Sequence, residues 1–178
     1  MSRLSRRQFV ASLAAAVPVI AAPRRLFAAS VEPRELRFFN LHTDERLAVE
    51  YFSGGTYVPD ALATVNHFLR DFRTGDVHVI DPGVLDLLHE LAGMTETSRS
   101  FQVISGYRSP KTNAMLRHRS EGVAAGSLHM KGQAIDIRLA DVPLARLHAA
   151  ALAARRGGVG YYPASNFVHV DTGRVRRW

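Results

Sequence analysis

The chain of 178 residues has no cysteine, a single tryptophan and no apolar run long enough for a comfortable membrane span. Without cysteine, an oxidising compartment offers the fold no disulfide and threatens no thiol, so stability must come from a hydrophobic core and, where one is held, a metal. Internal repeats and low-complexity stretches are also missing, and the one join between segments falls near residue 30. Acidic residues are absent from Met1–Ala29, which nonetheless carries Arg3, Arg6, Arg7, Arg24 and Arg25. Setting that segment aside leaves 18 basic against 16 acidic groups, so the formal charge of +7 falls to about +2. The basic excess is therefore largely a property of the leader, and nucleic acid is not an expected partner. Only Arg174, Arg176 and Arg177 remain as contacts for an anionic polymer.

What is present is an ordinary globular composition, 47% hydrophobic and 22% charged, on a length that suits one domain. Ahead of it, basic residues precede the apolar run Phe9–Ala22 and the small residues Ala28 and Ala29, the layout of an export signal. The run is short of the roughly 20 apolar residues a span needs, and Pro18 interrupts it. Ser5-Arg6-Arg7-Gln8-Phe9-Val10 matches the twin-arginine pattern; an arginine pair on an ordinary secretory signal, or an uncleaved anchor, is the alternative. Residues 1–29 are thus expected to be a twin-arginine signal peptide and 30–178 a mature periplasmic domain, monomeric and without stable membrane insertion. Phe27 at the minus-three position of the Ala29 candidate leaves the cleavage point open. Because that route carries folded proteins, a metal site can be assembled before export.

In the mature segment, Glu35–Leu41 and Arg46–Phe52 read as a hairpin, with Leu47, Val49 and Tyr51 alternating. Leu62, Val65, Phe68, Leu69 and Phe72 form one stripe of a helix over Pro59–Arg73. Asp81-Pro82 opens a second helix, which Gly93 is expected to stop. A strand over Phe101–Ser105 enters Gly106-Tyr107-Arg108, Ser109-Pro110 starts a short helix, and Ser120–Lys131 reads as a loop. In Gln133–Leu139 the residues alternate, so Ile135 and Ile137 share one face and Asp136 takes the other. An alanine-rich helix over Pro143–Arg156, ended by Gly157-Gly158, precedes strands over Val159–Tyr162 and Phe167–Asp171. Strands and helices mix without strict alternation, which predicts an α+β domain with a mainly antiparallel sheet flanked by helices.

The chemistry concentrates in Ser127-Leu128-His129-Met130-Lys131-Gly132-Gln133-Ala134-Ile135-Asp136, with His169 following 33 residues after Asp136. Two imidazoles and a carboxylate suit a catalytic zinc site, which uses three protein donors and keeps a fourth position open. Taken singly, the same residues serve as well as hydrogen-bonded structural histidines and a surface carboxylate, and a two-histidine, one-carboxylate set also binds iron.

The pattern Ser-x-His-x-x-Gly-x-Ala-x-Asp followed by a strand histidine resembles the zinc signature of the D-alanyl-D-alanine (M15-type) metallopeptidases. Asn40-Leu41-His42-Thr43, Asn66-His67-Phe68, Ile80-Asp81-Pro82-Gly83, Ile104-Ser105-Gly106-Tyr107-Arg108-Ser109 and Gly157-Gly158-Val159-Gly160-Tyr161-Tyr162-Pro163 extend the likeness to the murein endopeptidase K (YcbK-like) subgroup over nearly the whole mature chain. The resemblance implies the M15/hedgehog-type fold, zinc held by His129, Asp136 and His169, and peptidoglycan stem peptides as substrate. It makes Arg108 the residue that stabilises charge on the scissile carbonyl. Ser127 is a candidate to hydrogen-bond substrate or a ligand, a contact that loop hydroxyls also make for structural reasons, and Tyr107 is a further substrate-binding candidate. Many relatives carry a glutamate base three residues before the last histidine, whereas this chain has Asn166. Asp171, on the same strand face as His169, is the candidate replacement, either as base or as a partner that orients His169. The expected activity is hydrolysis of peptide cross-links, diaminopimelate to diaminopimelate in preference to D-alanine to diaminopimelate. A carboxypeptidase removing terminal D-alanine and a non-catalytic wall-binding module are the alternatives.

Overall fold

The computed structural model describes residues 32–119 and 122–178; the export-signal expectation lies outside them. One eight-stranded sheet organises this single α+β domain, in the order β3-β2-β1-β4-β5-β7-β6-β8, with five of its seven pairings antiparallel. The strands are β1 (Arg34–Asn40), β2 (Arg46–Ser53), β3 (Thr56–Tyr57), β4 (Phe101–Ser105), β5 (Ala134–Arg138), β6 (Gly158–Tyr162), β7 (Phe167–Asp171) and β8 (Arg176–Arg177). The β1–β4 and β6–β8 pairs are parallel. The β1–β4 crossover carries helices α1 (Pro59–Phe68) and α2 (Pro82–Thr95); α3 (Pro110–Arg119) and α4 (Leu144–Ala154) complete the set. Among the described residues no helix is long and apolar enough to cross a membrane.

The predicted hairpin forms, and the alternation of β5 and β7 produces the division of labour that matters for function. Ile135 and Ile137 pair with Val170 and Val168, all four fully buried, and belong to a core with Leu85, Leu88 and Leu147 from α2 and α4. Each such aliphatic contributes roughly 1.5–3 kcal/mol by leaving water. The opposite face of the same two strands is thereby fixed to carry Asp136 and His169.

Three helix ends differ from expectation. The first helix stops at Phe68 rather than Arg73, because buried Asp71 turns the chain: its carboxylate accepts from the amides of Arg73 (3.0 Å) and Ser109 (2.9 Å). Burial works to raise the Asp71 pKa, but hydrogen bonds from Thr112, Ser109 and the Arg73 amide hold it at about 2. Asp81 caps α2 through Gly83 N as expected, yet the helix runs through Gly93 and ends where Glu96 takes the left-handed conformation (φ 56°). Similarly, α4 ends on left-handed Arg155 (φ 52°), before Gly157 is reached. Gly157 and Gly158 serve close packing instead, since a Cβ on Gly157 would collide with the Asp171 carbonyl.

Candidate metal centre and catalytic cleft

Asp136 and His169 are direct cross-strand partners, with Asp136 Oδ1 2.8 Å from His169 Nδ1. His129 reaches the same point from a single 3-10 turn, Leu128–Lys131, lying within the segment expected to be a plain loop. Its Nε2 is 3.2 Å from Asp136 Oδ1 and 3.1 Å from His169 Nδ1. Gly132, left-handed at φ 65°, closes the turn so tightly against the chain at Val79 that a Cβ would strike the Val79 carbonyl. All three donors are buried.

The outward nitrogens of the two rings are already committed. His129 Nδ1 donates to the Gly106 carbonyl (2.8 Å) and His169 Nε2 to Asp171 Oδ2 (3.1 Å), which leaves the inward nitrogens as lone pairs when the rings are neutral. Two imidazole lone pairs and a carboxylate oxygen then point at one another, an arrangement that repels itself unless a cation sits between them. The donor-to-donor spacings of 2.8, 3.1 and 3.2 Å approach the roughly 3.3 Å edge of a tetrahedron built on zinc bonds of about 2.0–2.1 Å. Donor type, spacing and tautomer all fit the metal that the resemblance implies.

The electrostatics agree. Burial disfavours the charged form of Asp136, but the charge and hydrogen bonds of His129 and His169 outweigh it and hold the carboxyl well below its usual range. At His169, burial again opposes the charge, yet hydrogen bonds to Asp136 and Asp171 push its pKa up to about 9. The pocket attracts positive charge, and where no metal binds a proton takes its place.

Residues 28–178 match the family described as peptidoglycan L,D-endopeptidase MepK. The peptidoglycan L,D-endopeptidase MepK of Escherichia coli K12 is 46% identical over 176 residues, covering 98% of this chain and 97% of that protein, and a Shigella flexneri relative of the same description aligns equally well. A probable peptidoglycan L,D-endopeptidase MepK of Haemophilus influenzae is 45% identical over 148 residues, 83% of this chain and 80% of its own. The chain belongs to the MepK family.

In this MepK-family chain the centre opens into a cleft of about 510 Å³, whose lining includes Arg108, Ser127, Tyr162, Phe167 and Trp178. Arg108 stands beside the centre, Nη2 3.5 Å from Asp136 Oδ2, and its buried Nε has no hydrogen-bond partner among the described residues. Burial lowers its pKa and Asp136 works against that. Gly106 makes this placement possible: its amide neighbour Tyr107 donates to the Leu69 carbonyl (2.8 Å), and a Cβ on Gly106 would sit 2.5 Å from that oxygen. Tyr107 itself is not among the lining residues; its ring stacks on His78 at 4.7 Å.

Asp171 is fully buried and outside the cleft lining. It receives Arg176 (2.7 and 3.1 Å), the amides of Gly158 (2.9 Å) and Gly173 (2.8 Å), and the His169 ring. Those contacts outweigh burial and hold its carboxyl far below the usual range. Asn166 lies in the β6–β7 turn with φ 52°, a left-handed position that asparagine tolerates, and it too is absent from the lining. Sequence reasoning passed over Trp178, whose ring lies 5.3 Å from that of His169. The only signal available for it was the position of the sole tryptophan.

Proposed function

We propose that this protein is an exported zinc peptidase that hydrolyses peptide cross-links of peptidoglycan in the periplasm, with the L,D bond between two diaminopimelate residues preferred. The relatives' description as peptidoglycan L,D-endopeptidases supports the substrate and the L,D class of bond. The observation that carries the chemistry is the convergence of three lone-pair donors on one point of the cleft wall.

His129, Asp136 and His169 would hold the zinc, which when bound supplies Lewis acidity toward the scissile carbonyl and a nucleophile at neutral pH. Arg108, positively charged and desolvated beside that centre, offers preorganised stabilisation where negative charge develops on the carbonyl oxygen. Ser127, on the same cleft wall, is assigned a substrate contact. Asp171 is assigned the orienting role rather than that of base: its two oxygens are occupied, and its bond to His169 fixes the tautomer that turns Nδ1 inward.

The test is muropeptide chromatography with mass spectrometry after incubating zinc-loaded mature protein, or its His129→Ala variant, with cross-linked dimers. Conversion of dimers to monomers by the unmutated protein alone is expected, and the released ends identify the bond. Intact dimers in the presence of bound zinc would leave a wall-binding module, and cleavage confined to monomeric stems a carboxypeptidase.

A further inference from the structure

Beyond the metal donors, the cleft holds an aromatic cluster that the peptidase chemistry does not use. Gly160 lies directly opposite His169 in the sheet and has no side chain; a Cβ there would come within 2.8 Å of the Trp178 indole and of Tyr162 Cε2. The indole fills that space, with the His169 ring 5.3 Å away and the Arg176 guanidinium 4.9 Å from its centroid. Tyr162 stacks on Phe167 at 4.5 Å, and its hydroxyl oxygen accepts a hydrogen bond from Trp178 Nε1 at 2.6 Å.

An indole N–H only donates, so this contact fixes the Tyr162 oxygen as acceptor and leaves its O–H to donate. Among the described residues nothing accepts that proton. Arg108, on the same cleft, likewise only donates, and its contacts to Ser105 Oγ and Asp136 Oδ2 are both long at 3.5 Å. Two donors short of acceptors, held rigid by packing, select a group that accepts and carries negative charge.

We infer that the cleft contains a carboxylate-binding subsite in which the Tyr162 hydroxyl, oriented by Trp178, donates to a free carboxylate of the stem peptide. The ligand class rests on the peptidoglycan reading above. Diaminopimelate suits it chemically, because an amide bond at one of its two ends leaves the other carboxylate free.

Binding is measured on the zinc-loaded mature chain with an uncross-linked stem tripeptide whose terminal diaminopimelate carries its chain-end carboxyl as a methylamide, the carboxylate at its other end being either free or amidated. Trp178 is the sole tryptophan, so its fluorescence reads occupancy at the subsite directly, with calorimetry for variants that lack it. The free acid is expected to bind about 10- to 100-fold tighter than the amide, the range a hydrogen bond to a charged group commands. Tyr162→Phe should remove that preference, Trp178→Phe should reduce it in part, and the double variant should do no worse than Tyr162→Phe alone. An unmutated chain indifferent to amidation, or a Tyr162→Phe chain that keeps the preference through the metal alone, overturns the subsite. Cleavage of dimers together with indifference to amidation removes only this inference. Discrimination without any cleavage removes the peptidase reading and leaves the subsite standing.

Discussion

Asp136 and His169 face each other across antiparallel strands β5 and β7, with carboxylate and imidazole 2.8 Å apart. Two of the three donors are therefore spaced by strand register, the stiffest ruler the fold has. The third is held at both ends, since His129 Nδ1 donates to Gly106 O and its carbonyl accepts the Arg108 amide at 3.2 Å.

Removing one donor should empty the centre without unfolding the sheet. Asp136→Ala is expected to reduce zinc, measured by elemental analysis of dialysed protein, from about one ion per chain to near none. Chelation of the unmutated protein should lower its Tm, because a metal bound only by the native state stabilises it by mass action. Full zinc content in the variant would place the metal elsewhere.

In the metal-free protein, stability should decline with rising pH. His169 has a folded-state pKa raised from 6.5 to about 9, so its contribution is complete below about 6.5 and is lost as pH passes through 9. Tm measured by circular dichroism across that window is expected to fall for the metal-free chain and to stay level once zinc has displaced the proton. A level curve for both forms would mean that His169 is not protonated in the native state.

Asp171→Asn separates orientation from proton transfer. Losing the carboxylate that fixes the His169 ring should weaken zinc binding about 10- to 100-fold. It should also cost about 1–3 kcal/mol of stability, because Arg176 and the amides of Gly158 and Gly173 lose a charged acceptor. Competition with a zinc chelator and urea denaturation report the two effects. Unchanged zinc affinity with abolished turnover would return Asp171 to the role of base.

Gly106→Ala tests the platform under the centre. The added methyl meets Leu69 O at 2.5 Å and Leu69 Cβ at 2.9 Å, so the backbone that carries Arg108 and accepts from His129 has to shift. A loss of about 1–3 kcal/mol is expected, with a fall in kcat larger than the change in Tm implies. Wild-type kinetics and Tm together would show that the loop yields at no cost.

The hairpin, the Asp81 cap and the two faces of β5 were legible because each is decided by neighbours in sequence. The grouping of His129, Asp136 and His169, which could hold a metal, was legible through spacing and resemblance. The end of α1 was not, since Asp71 turns the chain by binding the Ser109 amide 38 residues away. The stop of α4 was misassigned to Gly157 because glycine has two uses, and here the close approach of the Asp171 carbonyl claims it. Tyr107 sits next to Arg108 in sequence, yet its ring goes to His78. Trp178 and the strand before it gave no periodic signal, because two residues of β8 acquire their meaning only from β6.

The sheet ends on both sides in strands of two residues, Thr56–Tyr57 and Arg176–Arg177. A bare edge offers unpaired amides and carbonyls to any passing chain; β8 presents only a pair of cations there, whereas β3 covers just Phe52 and Ser53 of β2 and leaves Arg46–Glu50 without a strand partner on that side among the described residues. The cationic β8 margin thus discourages edge-to-edge pairing, and any such association is expected along Arg46–Glu50, where the exposed charges of Arg46 and Glu50 are what oppose it.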